Sequence, residues 1–123
     1  MSERSVIPEL NLFVIRSTDI QKSVGFYSLL GLVFVQEKHG SGPMHYASTL
    51  GATTFEIYPL GKRSPTSDVR LGFTVNSVDE ALEAIEPSTI ISSPTQTERG
   101  RLAVVRDPDG HTIELIETQQ QVV

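Results

Sequence analysis

The chain has no cysteine, which excludes disulfides, thiolate chemistry and zinc sites of the cysteine type. That absence fits a reducing compartment. Long apolar runs are missing too. Leu32-Val-Phe-Val35 is far too short to cross a bilayer, and Met1 to Pro8 holds no apolar stretch of signal-peptide length. The expectation is a cytoplasmic protein with no membrane partner. Positive charge is sparse: ten basic residues stand against fifteen acidic ones, for a formal net charge of −5. The basic residues are scattered, with only Lys62 and Arg63 adjacent. This argues against nucleic acid as a partner, because binding it rests on a clustered positive patch.

What remains is ordinary globular material. A length of 123 residues, 38% hydrophobic and 20% charged, suits one domain with a core of its own. Inside it lies a repeat. Thr54-Phe-Glu-Ile-Tyr58 and Thr112-Ile-Glu-Leu-Ile116 share one pattern and are offset by 58 residues. The same offset lays Leu12 to Asp19 on Arg70 to Ser77, two apolar runs that each end in capping residues. A chain of two similar units follows.

Each unit reads as β-α-β-β-β, so the fold class is α+β, with the two modules forming a curved mixed sheet around a cleft. Module one spans about 9–60, a linker about 61–68, module two about 69–117, and a frayed tail 118–123. In module one a strand over about 9–16 leads to a helix opened near Thr18-Asp19. Ile20, Val24, Tyr27 and Leu30 share its buried face, and Gly31 stops it. Strands follow over Leu32–Gln36, Met44–Leu50 and Thr53–Leu60, with Gly51-Ala52 as a tight turn. In module two, Ser77 and Glu80 form a capping box, Val78, Ala81, Leu82 and Ile85 the buried stripe, and Pro87 the stop. Short strands follow at Ile90-Ile91, Leu102–Arg106 and His111–Glu117, with a turn at Asp107-Pro-Asp-Gly110.

Strand alternation then sorts side chains by face. Phe55 and Ile57 face the first helix, leaving Thr54, Glu56 and Tyr58 on the other side. A two-residue turn at Gly51-Ala52 sets Ala47 opposite Glu56 and His45 opposite Tyr58, so His45 joins that face. In module two, Arg70, Gly72 and Thr74 fall opposite the helix, and Glu114 with them. The helix-free surface therefore collects Leu12, Val14, His45 and Tyr58 from one module and Arg70 and Thr74 from the other. It is a mixed lining suited to a small-molecule ligand. Glu56 and Glu114 are its carboxylates, candidates for base catalysis or for holding a divalent metal. Arg70 is a candidate counter-ion for one of them, or a grip for an anionic ligand group. His39 and His111 read as structural or surface residues, Phe26-Tyr27 as helix core, and Asp107 and Asp109 as turn residues.

Two segments carry a family resemblance. Asp19-Ile-Gln-Lys-Ser-Val-Gly-Phe-Tyr-Ser-Leu-Leu-Gly31 and Arg106-Asp-Pro-Asp-Gly-His-Thr-Ile-Glu-Leu-Ile116 resemble the first helix and last hairpin of the vicinal-oxygen-chelate superfamily. Its members are glyoxalases, extradiol dioxygenases and bleomycin-resistance proteins, and the resemblance covers roughly residues 9 to 117. It implies four metal positions, which fall here on Leu12, Glu56, Arg70 and Glu114. Leucine offers no lone pair and arginine is a permanent cation, so half of that set cannot coordinate. The resemblance also implies a homodimer. Alternation agrees by placing Leu10, Leu12, Val14, Ala103 and Val105 on the uncovered faces, an apolar area that a second chain would cover.

The leading expectation is a cleft protein that binds a small, partly anionic organic molecule, with no cofactor or a weakly bound divalent metal. The alternative is a metal-dependent lyase, isomerase or dioxygenase using Glu56, Glu114 and a non-standard third ligand such as His45. A non-catalytic structural or regulatory module is the third.

Overall fold

A computed structural model of the chain describes residues 10–62 and 69–117. The linker expected at 61–68 lies mostly outside them, as does the tail expected at 118–123. The rest is two β-α-β-β-β modules, as the repeat requires. Module one runs β1 (Leu12–Ser17), α1 (Ile20–Leu29), β2 (Val35–Glu37), β3 (His45–Leu50) and β4 (Thr53–Pro59). Module two runs β5 (Arg70–Thr74), α2 (Val78–Glu83), a 3-10 turn at Pro87–Thr89, then β6 (Ile90–Thr97), β7 (Gly100–Arg106) and β8 (Thr112–Glu117).

Each module makes its own four-stranded mixed sheet, ordered β1-β4-β3-β2 and β5-β8-β7-β6. The repeat extends to the hydrogen-bond register. Leu12 pairs with Thr54 and Val14 with Glu56 across the parallel β1-β4 ladder. Arg70 pairs with Thr112 and Gly72 with Glu114 across β5-β8, each partner displaced by the same 58 residues. The β3-β4 hairpin has the expected register, with Ala47 opposite Glu56 and Thr49 opposite Thr54. Gly51 supplies the positive φ of 62° that its turn needs.

Both helices start where capping chemistry places them. The Asp19 side chain accepts from the Lys22 N–H at 3.2 Å, and the Ser77 hydroxyl accepts from the Glu80 N–H at 3.1 Å. Strand β6 is longer than Ile90-Ile91 and runs to Thr97. Its register slips between Ile90 and Ser92 and again between Ser92 and Thr95. Those irregularities let an edge strand carry Pro94, whose missing N–H breaks a regular ladder.

A single core joins the modules. Ile15, Phe55 and Ile57 of one sheet, Leu71, Ile113 and Leu115 of the other, and Tyr27 and Val78 of the helices belong to one buried cluster. Tyr27 sits between the sheets, its ring centroid 5.0 Å from Phe55 and 6.1 Å from Phe73. Ala103 and Val105 are fully buried here, which corrects their placement on an uncovered face. They stand opposite Leu115 and Ile113 in the β7-β8 ladder and so share the inward side of those residues. Leu10, Leu12 and Val14 do remain exposed, at 66%, 49% and 38%.

The junction also has a polar half. The Tyr27 hydroxyl donates to Asp107 Oδ2 at 2.7 Å, across the boundary between the modules. Burial first, and the Asp107 carboxylate second, push the Tyr27 hydroxyl far above its usual pKa. The Asp109 carboxylate accepts from the Thr18 N–H at 2.8 Å, the Thr18 hydroxyl at 2.6 Å and the Ser23 hydroxyl at 3.0 Å. Burial alone would raise the Asp109 carboxyl, but these hydrogen bonds outweigh it and hold the group below its ordinary range.

Replacing Tyr27 with Phe keeps the ring packing and removes one donor from a buried carboxylate. It should destabilise the fold by about 1–3 kcal/mol, seen as a lower urea midpoint at unchanged slope. Because Asp109 is depressed in the folded chain, its contribution is present above the unfolded value of about 4 and lost as pH falls through the folded one. Urea midpoints of the wild type should therefore drop on acidification below about pH 4 more steeply than those of Asp109→Asn. Parallel curves would remove Asp109 from the account.

Candidate functional site

The helix-free faces carry two separate polar clusters, one per module. On module one, β1 presents Leu12 and Val14, β4 presents Glu56 and Tyr58, and β3 presents His45. The His45 ring stacks on Tyr58 at 4.1 Å with an interplanar angle of 8°. The Arg16 guanidinium lies 4.8 Å from the centre of the same ring. His45 Nε2 is 3.9 Å from Glu56 Oε2. The sequence reading therefore placed His45, Glu56 and Tyr58 together correctly.

The structure adds two residues to this cluster. Glu37 stands opposite His45 in the β2-β3 ladder and puts Oε1 3.3 Å from His45 Nε2. His39, just past the strand end, brings Nε2 to 3.5 Å from the same oxygen. Glu37 was missed because β2 was expected to end at Gln36, so no face was assigned to it. The signal was present as Glu37, His39 and His45 spaced across one hairpin. His45 is 1% exposed although it lies on the helix-free side, with the rings of Tyr58 and His39 against it.

On module two, Glu114 is held by two guanidiniums. Arg70 Nη2 donates to Oε2 at 3.1 Å, and Arg99 Nη2 stands 3.3 Å from Oε1. The pairing of Arg70 with a glutamate follows the expectation. Arg99 sits at the β6-β7 hairpin, and nothing in its local pattern indicated that it reaches Glu114. The two arginine side chains are 58% and 66% exposed, so the pairs themselves stabilise the fold little. Their effect is on charge: two cations surround one carboxylate. Gly72 and Thr74 beside them are exposed.

No ion pair or hydrogen bond joins the two clusters among the described residues. A groove of about 390 Å³ opens between the modules, lined by Leu10, Phe13, Phe55, Leu71, Phe73 and Thr74 among others, and neither glutamate borders it. Thr74 is thus the expected site residue that does border a described cavity. The four positions where the superfamily resemblance implies a metal do not fit one in this chain. Leu12 has no donor atom, Arg70 is a cation, and both oxygens of Glu114 face guanidiniums.

Tandem β-α-β-β-β modules, each with its own four-stranded mixed sheet, define the α+β fold class of the glyoxalase and bleomycin-resistance kind. The sequence profile of the Glyoxalase/Bleomycin resistance protein/Dioxygenase superfamily matches residues 9–115, and the chain belongs to that superfamily. Solved structures share the fold. TnmS3, an antibiotic binding protein from Streptomyces sp. CB03234, matches with a TM-score of 0.74 at 21% identity, over 94% of this chain and 100% of that one. A hypothetical protein, SA1046 from S. aureus, matches with a TM-score of 0.70 at 19% identity, over 92% and 99%. A superfamily member from Sphaerobacter thermophilus DSM 20745 matches with a TM-score of 0.70 at 21% identity, over the same shares. No curated protein matches the chain.

Proposed function

We propose that this protein binds a small, partly anionic organic molecule on its helix-free sheet faces, with two chains closing over the ligand as a homodimer. The observation that carries the reading is the arginine pair on Glu114. One carboxylate against two guanidiniums leaves the module-two face with surplus positive charge, and Arg70 and Arg99 are exposed enough to meet an anion. Leu12 and Val14 on module one supply exposed apolar surface for the rest of such a ligand. The antibiotic binding stated for the Streptomyces neighbour is in keeping with small-molecule binding on this fold.

Support for the dimer is the apolar face itself. Leu10, Leu12 and Val14 are exposed at and just before β1, and Val35 is exposed on the other edge strand of the same sheet; exposed apolar area is what a second chain would cover. A cytoplasmic setting without nucleic-acid partners belongs to the same reading, supported by the net charge of −5 and the scattered basic residues. No helix among the described residues is long and apolar enough to cross a membrane.

Aromatic carboxylates, each paired with its uncharged amide, form the direct test by calorimetry. At least one carboxylate should bind about tenfold or more tighter than its amide, and Arg70→Gln should remove that preference, as the loss of a charge-assisted contact requires. Equal binding of acids and amides, or no saturable binding across the series, overturns the ligand reading. Light scattering at micromolar concentration should give twice the 13.5 kDa chain mass; a monomer mass sinks the dimer.

A further inference from the structure

The polar cluster on module one is unlike its counterpart on module two. Glu37, His39 and His45 each bring one donor atom to within 4.8 Å of the others. His45 Nε2 is buried without a hydrogen-bond partner, in a side chain only 2% exposed. Its other ring nitrogen, Nδ1, lies 3.2 Å from the Pro43 carbonyl oxygen. A carbonyl only accepts, so Nδ1 carries a proton, and in the neutral ring Nε2 presents a lone pair. That lone pair faces two carboxylate oxygens, at 3.3 Å from Glu37 and 3.9 Å from Glu56, and neither contact is a hydrogen bond. Three acceptors converge, and a cation between them resolves the arrangement.

We propose that Glu37, His39 and His45 bind one divalent first-row transition-metal ion, with Glu56 within reach as a fourth donor. The spacing supports an ion directly. Donors about 2.0–2.1 Å from a tetrahedral centre stand ~3.3–3.4 Å from one another. Two of the three separations, Glu37 Oε1 to His45 and to His39 at 3.3 and 3.5 Å, have that length, and the third lies within 4.8 Å. The Pro43 carbonyl behind His45 is the type of partner that fixes a ligating imidazole in its tautomer and orientation. The β2-β3 ladder holds Glu37 and His45 opposite one another, while exposed His39 closes the site from the solvent side. Two imidazoles with carboxylate select zinc, nickel or cobalt over magnesium or calcium, which prefer all-oxygen shells. Three protein donors leave a fourth position, open either to Glu56 or to an oxygen of a small molecule on the Val14–Glu56 face.

This site is independent of the anion-binding reading, because it uses neither Arg70 nor Glu114. The test is calorimetric titration of chelator-treated, dialysed full-length protein with Co²⁺ and Zn²⁺, and with Mg²⁺ as the control. One Co²⁺ or Zn²⁺ should bind per chain, and Mg²⁺ should not compete. Glu37→Gln and His39→Ala should each weaken binding by about tenfold or more, at least what losing a residue behind a ligand costs. His39 is 73% exposed, so its removal tests the ion without disturbing the core. Glu114→Gln should bind as the wild type does; a loss equal to that of Glu37→Gln assigns the ion to the superfamily position and overturns the proposal. Bound Co²⁺ should shift and broaden the ring protons of His39 and His45 in proton spectra more than those of His111, which is buried against Asp107. No saturable binding, or equal broadening at all three histidines, also overturns it.

Discussion

The carboxylate of Asp107 is buried and takes four hydrogen bonds. They come from the Tyr27 hydroxyl, the His111 ring and the backbone N–H groups of Asp109 and His111, at 2.7 to 2.9 Å. A buried carboxylate with fewer partners would be costly to keep dry. Three of those donors belong to its own turn, and the fourth reaches in from α1 of the other module. The turn is therefore complete only when the two modules are docked. Asp109, next but one, receives Thr18 and Ser23 from the same helix. Modules that each lack a large core are thereby held in one register.

That docking decides where function can reside. With α1 lodged between the sheets through Tyr27, and Phe55 in contact with Phe73, the helix-facing sides are consumed by the core. The free surfaces are the other sides of β1, β4 and β5, where Leu12, Val14 and Arg70 stay exposed. Strand alternation made this partition legible in the sequence, because the inward residues of the central strands, Phe55, Ile57, Ile113 and Leu115, are apolar. The repeat made the register legible as well, since one offset aligns Leu12 with Arg70 and Glu56 with Glu114.

Other features were hidden for physical reasons. Ala103 and Val105 alternate with Leu102 and Val104, which are also apolar, so composition alone left the strand's facing undetermined; only pairing with β8 resolves it. Asp107, Asp109 and His111 read as turn residues, which they are. Their further role depends on a helix some eighty to ninety residues away in the chain, and local spacing carries no trace of that. The approach of Arg99 to Glu114 belongs to the same kind, a long side chain reaching from a hairpin end. The Glu37–His39–His45 group was open to sequence reading only if β2 was given one more residue.

The two modules have kept their backbone and parted in electrostatics. A carboxylate on a half-covered strand needs a positive charge nearby, and there are two ways to provide one. Module two provides it covalently, with Arg70 and Arg99 on the oxygens of Glu114, and thereby fills with protein the space a metal ion would need. Module one does not. Among the described residues no lysine or arginine pairs with Glu37 or Glu56; their nitrogen neighbours are His45 and, for Glu37, His39. Arg16, the nearby cation in register with Tyr58, stacks on that ring instead. The same scaffold thus presents an acid flanked by two arginines on one face and an acid–imidazole group on the other. The difference follows from which side chains stand at equivalent positions, leucine at 12 and arginine at 70, and from the histidines that only the first module has beside its acid.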